Sequence, residues 1–299
     1  MNLRPLRRAL TFTMFTYLVS FVVLTLYFLF GGKWVAPGSL FLALTYMFIP
    51  MTVAIVLQKW VYRESLAKGL LLSRKVNRWY LIAWLLPLAI ALLAFVCSFL
   101  IPGVTFTPGM EGMIERFASL FTPEQITQMK EQIALAPVHP FWLALVQGLL
   151  AGATVNAVAA FGEEAGWRGF LLTNLKHVHF WKASLFIGVV WGFWHAPLIL
   201  LGHNYPQHPV AGVFMMTIWT VLLTPLMCYV TLRAKSVLAA ALFHGSLNGT
   251  FGLALLLIRG GSDLTVGVTG LAGFVALALL NLGLFLLLKK KILPQPVFA

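Results

Sequence analysis

The chain has 299 residues, 60% of them hydrophobic and 10% charged, with 21 Lys and Arg against 8 Asp and Glu, a formal net charge of +13. Soluble domains carry about 25% charged residues, and the mean hydropathy here is +0.91, so a soluble globular protein is excluded. The cations stand between long apolar runs, which makes anionic lipid head groups and membrane topology their partners rather than nucleic acid.

Runs long enough to cross a bilayer, about 20 residues each, are predicted near 9–30, 39–58, 79–101, 141–162, 183–201, 211–232, 236–258 and 264–288. The first follows Arg4, Arg7 and Arg8 and outlasts the apolar core of a signal peptide, so it reads as a retained helix. Lys and Arg fill alternate connections: 4–8, then 59–78, then Lys176 and Lys182, then Arg233 and Lys235, then 289–291. The other connections hold only Lys33, Arg116, Lys130 and Arg259. This alternation predicts an all-α integral membrane protein, a bundle of about eight transmembrane helices in the cell membrane with both termini cytoplasmic. No repeat or appended soluble segment is evident, so residues 1–299 read as one polytopic domain. In the long connection 102–139, Thr122-Pro123-Glu124-Gln125 has the pattern of a helix start and predicts a short amphipathic helix on the outer surface.

Of the eight acids, only Glu163 and Glu164 fall in an apolar helical stretch. Charge inside a membrane costs several kcal/mol unless it is paired or hydrated, which marks these positions as functional candidates. Glu164 and Arg168 are four apart and share a helix face. His195 lies in the fifth run, and His244 and Asn248 share a face of the seventh. Counted along the helices at 1.5 Å per residue, Glu163 and His195 each lie roughly 20 Å, and His244 roughly 14 Å, from the nearest basic helix end. All three sit at similar depth in a core about 30 Å thick. Gly162 and Gly166, Gly188 and Gly192, and Gly245 and Gly249 each form a Gly-x-x-x-Gly on these helices, a pattern that lets backbones approach closely. Pro197 removes a helical hydrogen bond just beyond His195.

Such a cluster can hydrolyse a peptide bond without a covalent intermediate. Glu163, assisted by His195, suits the role of general base toward water. Glu164 held by Arg168 orients the site, and His244 with Asn248 can donate hydrogen bonds to the oxyanion. No Ser or Cys stands beside them as a nucleophile, since Ser246 points away from the His244 face. Cys97 and Cys228 read as packing residues. The mechanism requires no cofactor; His, His and Glu can also hold a divalent metal such as zinc, although no His-Glu-x-x-His spacing occurs. Two other readings compete: an ion- or proton-coupled transporter, and a non-catalytic scaffold.

Glu-Glu-x-x-x-Arg at Glu163, Glu164 and Arg168, an aromatic-x-x-x-His at Trp191 and His195, and His-x-x-x-Asn at His244 and Asn248 stand in this order on separate helices. This set resembles the CAAX protease and bacteriocin-processing (Abi) family of intramembrane endopeptidases, over a core of about 140–255. Trp191 stands where phenylalanine is commoner in the family. The resemblance implies an eight-helix fold, water activation by Glu163 and His195, an oxyanion hole from His244 and Asn248, and a site open to the cytoplasm. The substrate it implies is a peptide or membrane protein, prenylated in eukaryotic relatives but not necessarily so in bacterial ones. Bacterial members also serve in bacteriocin immunity. Oligomeric state has no signature here.

Overall fold

The computed structural model describes residues 4–118 and 122–292. Helix α1 (Arg4–Leu29) is followed by α2 (Gly38–Ile55), which a π-helical turn extends through Val56–Val61. A short α3 (Leu66–Gly69) sits in the basic loop ahead of α4 (Arg78–Ser98). Asn77 caps α4 by accepting the Trp79 N–H at 3.0 Å, one of the donors a helix start leaves unpaired.

The long connection that follows is built rather than loose. Strand β1 (Thr105–Phe106), α5 (Glu111–Phe117) and α6 (Pro123–Leu135) precede the next apolar helix. The start of α6 is the capping box expected from Thr122 and Gln125, each side chain bonding the other's backbone N–H. None of the α6 residues is buried.

The expectation of one helix over 141–162 is corrected. Helix α7 (Pro140–Ala153) ends at Thr154, whose backbone angles (φ −122°, ψ −101°) interrupt the helix. The Thr154 hydroxyl donates to the Leu150 carbonyl at 2.7 Å, a back-bond of the kind that bends helices. Helix α8 (Val155–Glu164) then continues through a π-helical segment, Ala165–Leu171, into α9 (Leu172–Asn174). The two glutamates therefore lie at the end of α8, beyond the apolar helix.

The remaining elements are α10 (Phe180–Trp194), α11 (Ala196–Leu200), α12 (Pro209–Ala234), α13 (Val237–Thr250), α14 (Leu253–Leu256), β2 (Ile258–Arg259) and α15 (Leu271–Lys289). The protein is thus an almost entirely helical, multi-span membrane bundle. Among the described residues, seven helices are long and apolar enough to cross a membrane, or eight if α6 and α7, bent by 92°, count as one. The two-residue strands pair antiparallel, Thr105 with Arg259 and Phe106 with Ile258, and tie the two long connections together.

Helix α13 is the hub, with α4, α7 and α8 packed along it. Glycines set the spacing. A Cβ built on Gly249 would lie 2.1 Å from the Gly148 carbonyl oxygen, and one on Gly152 would lie 2.6 Å from the Ser246 Cα. Gly148 and Gly152 are a fourth Gly-x-x-x-Gly, which interlocks with Gly245 and Gly249 so that α7 and α13 meet backbone to backbone. The other pairs serve different neighbours. Gly162 and Gly166 admit Met47, Phe48 and Pro50 of α2, while Gly188 and Gly192 admit Thr217, Thr220 and Val221 of α12.

Gly249→Ala should therefore destabilise the protein by about 1–3 kcal/mol through overpacking. Gly283, whose added Cβ would meet nothing within 4 Å, is the matched control. Thermal aggregation of the detergent-solubilised variants checks this: the midpoint should fall for Gly249→Ala and hold or rise for Gly283→Ala.

Candidate active site

The break between α10 and α11 builds the first half of the site. Pro197 has no N–H to continue the ladder, and the His195 N–H bonds instead to the Gly192 carbonyl at 3.1 Å, a tight three-residue turn. That shift frees the Trp191 carbonyl, which lies 2.8 Å from Nδ1 of the His195 ring. A carbonyl only accepts, so Nδ1 carries the hydrogen and Nε2 is the nitrogen left to accept a proton.

Trp191 does more than fill space. Its indole N–H donates to Oε2 of Glu163 at 2.7 Å. Its ring lies 4.1 Å from the Arg168 guanidinium carbon and packs edge-on against the His244 ring at 5.5 Å. One side chain thus touches Glu163, Arg168, His195 and His244. The sequence signal was the departure itself: phenylalanine could make the ring contacts but would offer no hydrogen to the carboxylate.

The two glutamates are in different situations. Glu164 is fully buried, and its Oε1 accepts from Arg168 Nη1 at 3.0 Å and lies 2.8 Å from His244 Nδ1. Arg168, also fully buried, donates a second bond to the Thr224 hydroxyl at 3.1 Å. Glu163 lines a cavity of about 250 Å³, with its Oε1 free of protein partners among the described residues. His195, His244 and Asn248 line the same cavity. Of the six residues singled out in the sequence, four face this space, while Glu164 and Arg168 stand behind it.

Tyr46, Trp219 and His203 also line the cavity, and sequence reasoning gave none of them a role. Tyr46 stacks on Trp194 at 4.4 Å and donates its hydroxyl to the Trp194 carbonyl at 2.9 Å, pinning α2 to the turn that carries His195. His203 follows α11 in a loop, where nothing in its neighbours signals a return to the cavity. His139, likewise left without a role, caps α7 by accepting the Phe141 N–H at 3.2 Å. Cys97 and Cys228 are free and buried, as expected of packing residues.

Among the described residues no three His, Cys, Asp or Glu side chains converge as ligands for a metal ion. Glu164 Oε1 is engaged by Arg168 and His244, while Nδ1 of His195 is held by a carbonyl and Nδ1 of His244 by a carboxylate, which leaves the Nε2 atoms of both rings without protein partners among the described residues.

The cavity lies toward one end of the bundle. Its walls include Ala43 near the start of α2, Leu198 in α11, His203 and Asn204 in the loop beyond, Met216 early in α12 and Phe251 after α13. These are the ends away from the basic loops.

Residues 137–250 match the family model described as "Type II CAAX prenyl endopeptidase Rce1-like". A curated protein from Methanococcus maripaludis, "CAAX prenyl protease 2", is 32% identical over 101 residues, which is 30% of this chain and 36% of that protein. The match thus spans about a third of the curated relative's length. All six site residues fall within the matched segment.

Proposed function

We propose, from the match of residues 137–250 to the Rce1-like model of type II CAAX prenyl endopeptidases, that this chain is an intramembrane endopeptidase acting on a membrane-associated peptide or protein. The observation that carries this reading is the shared cavity: a carboxylate, two imidazoles and a carboxamide from three helices line one space. In the proposed reaction, Glu163 takes a proton from water while His195 Nε2 helps to hold that water. The hydroxide adds to the scissile carbonyl. The proton then passes to the leaving amine, so that the C–N bond breaks and one water is consumed.

Asn248 and His244 supply the oxyanion donors. His244 can do so through Nε2–H only as the imidazolium, because Nδ1 is committed to Glu164. The charges of the cluster then balance, two carboxylates against one guanidinium and one imidazolium, which is the condition for holding four ionised groups in a low-dielectric interior. Trp191 fixes the carboxylate of Glu163, and Glu164 fixes His244.

Asn248 is free of hydrogen bonds to the described residues and exposed to the cavity, so its amide is available to a substrate. Asn248→Ala should lower kcat by about 10²–10³, the usual loss for one oxyanion donor, with little change in KM. Steady-state kinetics on a membrane-anchored peptide substrate would test this; an unchanged kcat would remove Asn248 from the oxyanion hole.

A further inference from the structure

The ends of the spanning helices form two faces of opposite character. Arg8 of α1 pairs with Glu64 at 2.8 Å, the Asn77 amide donates to the Ala234 carbonyl at 3.0 Å, and the Val237 N–H donates to the Leu71 carbonyl at 2.9 Å. These contacts join the basic loops to one another. On the other face, Arg116 donates to the Gly260 carbonyl at 2.9 Å, the Gln207 N–H donates to Asp263 at 2.8 Å, and Trp34 packs on His203. The first face holds 16 of the 21 Lys and Arg with a single acid, Glu64; the second holds four cations against five acids. An asymmetry of this size orients a multi-span protein with the first face in the cytoplasm.

The catalytic cavity belongs to the second face. Toward the cytoplasmic side it is closed by Trp167, Arg168, Phe170, Leu171, Thr224 and Cys228, none of which has any exposed surface. Toward the other side it shares Asn204 and Phe251 with a larger hollow of about 540 Å³, formed by the loops 202–207 and 262–269 together with Arg116. Asn204, Gln207, Ser262, Asp263 and Thr269 give that hollow a polar wall suited to an extended peptide backbone, and Phe251 and Leu255 give it an apolar one.

We infer that the site is loaded from the extracytoplasmic side. Resting on the protease reading above, this makes the substrate class an exported peptide, or the extracytoplasmic or outer-leaflet segment of a membrane protein. A prenylated tail in the cytoplasm would meet the closed end of the bundle.

Single cysteines test the access route without reference to catalysis, because the native Cys97 and Cys228 are buried. In intact cells a bulky membrane-impermeant maleimide should label Ser262→Cys and leave Lys68→Cys unlabelled until the cells are lysed. The reverse pattern would overturn the inference. Membrane-protein termini from wild-type and Glu163→Gln cells then identify the substrate side: cuts lost in the variant should map to extracytoplasmic segments, and cuts mapping to cytoplasmic tails would overturn it. Absence of any Glu163-dependent cut would instead refute the protease reading, with the labelling still deciding which side the cavity faces.

Discussion

Glu163→Gln should lower the cleavage rate by about 10²–10⁴, the range that a positioned general base contributes. The variant should still accumulate in the membrane and keep its thermal midpoint. Glutamine has the shape of glutamate, and its amide oxygen can still accept the indole hydrogen that Trp191 gives to Oε2. What it lacks is the basicity that the proposed reaction asks of this residue toward water. The expected loss is therefore in kcat, since the substitution removes a proton acceptor and leaves the shape of the cavity wall unchanged. A structural role for Glu163 would produce the opposite pattern, with less protein and unchanged activity per molecule.

Arg168→Met should have the largest effect on stability. The guanidinium is fully buried, bonds Glu164 and Thr224 at once, and lies against the Trp191 ring. Removing it leaves the buried cluster one cation short, two carboxylates against the single His244 imidazolium, at a cost of about 3–5 kcal/mol. Lysine is a poor substitute, because an ammonium has neither the planar fork for two partners nor the flat face for the indole. The double variant Glu164→Gln/Arg168→Met should recover much of the lost stability, since removing both charges removes the desolvation cost as well. It should remain inactive, because His244 then loses the carboxylate that holds its ring. Thermal midpoints of the two single variants and the double variant, taken as a cycle, check this.

These roles divide into what one dimension of sequence records and what only packing decides. The multi-span character is written in local composition: apolar runs of about 20 residues carry it, and seven helices of the described residues are long and apolar enough to span a membrane. The capping box at Thr122 and Gln125 is equally local, a four-residue rule independent of the rest of the chain. The ordered polar positions from Glu163 to Asn248 were legible because charge and imidazole are rare in apolar helices.

Other features depend on partners far away in sequence. The kink at Thr154 and the π-helical segment Ala165–Leu171 occur where α7 and α8 meet α13 and α2 at glycine contacts. Gly148 and Gly152 carry no mark that pairs them with Gly249 and Gly245, because Gly-x-x-x-Gly is common in membrane helices. Trp191 reads as a packing aromatic until the position of Glu163 is known. Distance along a helix from a basic end places a residue in depth, but it says nothing of which end the bulky side chains close.

The most direct test of the proposed chemistry uses purified protein in liposomes, incubated with membrane-anchored peptides in water enriched in ¹⁸O. If a water activated by Glu163 attacks the scissile carbonyl, newly formed C-termini should carry the heavy isotope from the first turnover, and Glu163→Gln should yield none. New termini that appear equally with Glu163→Gln, or no new termini with the wild-type protein, would contradict a hydrolase centred on this carboxylate.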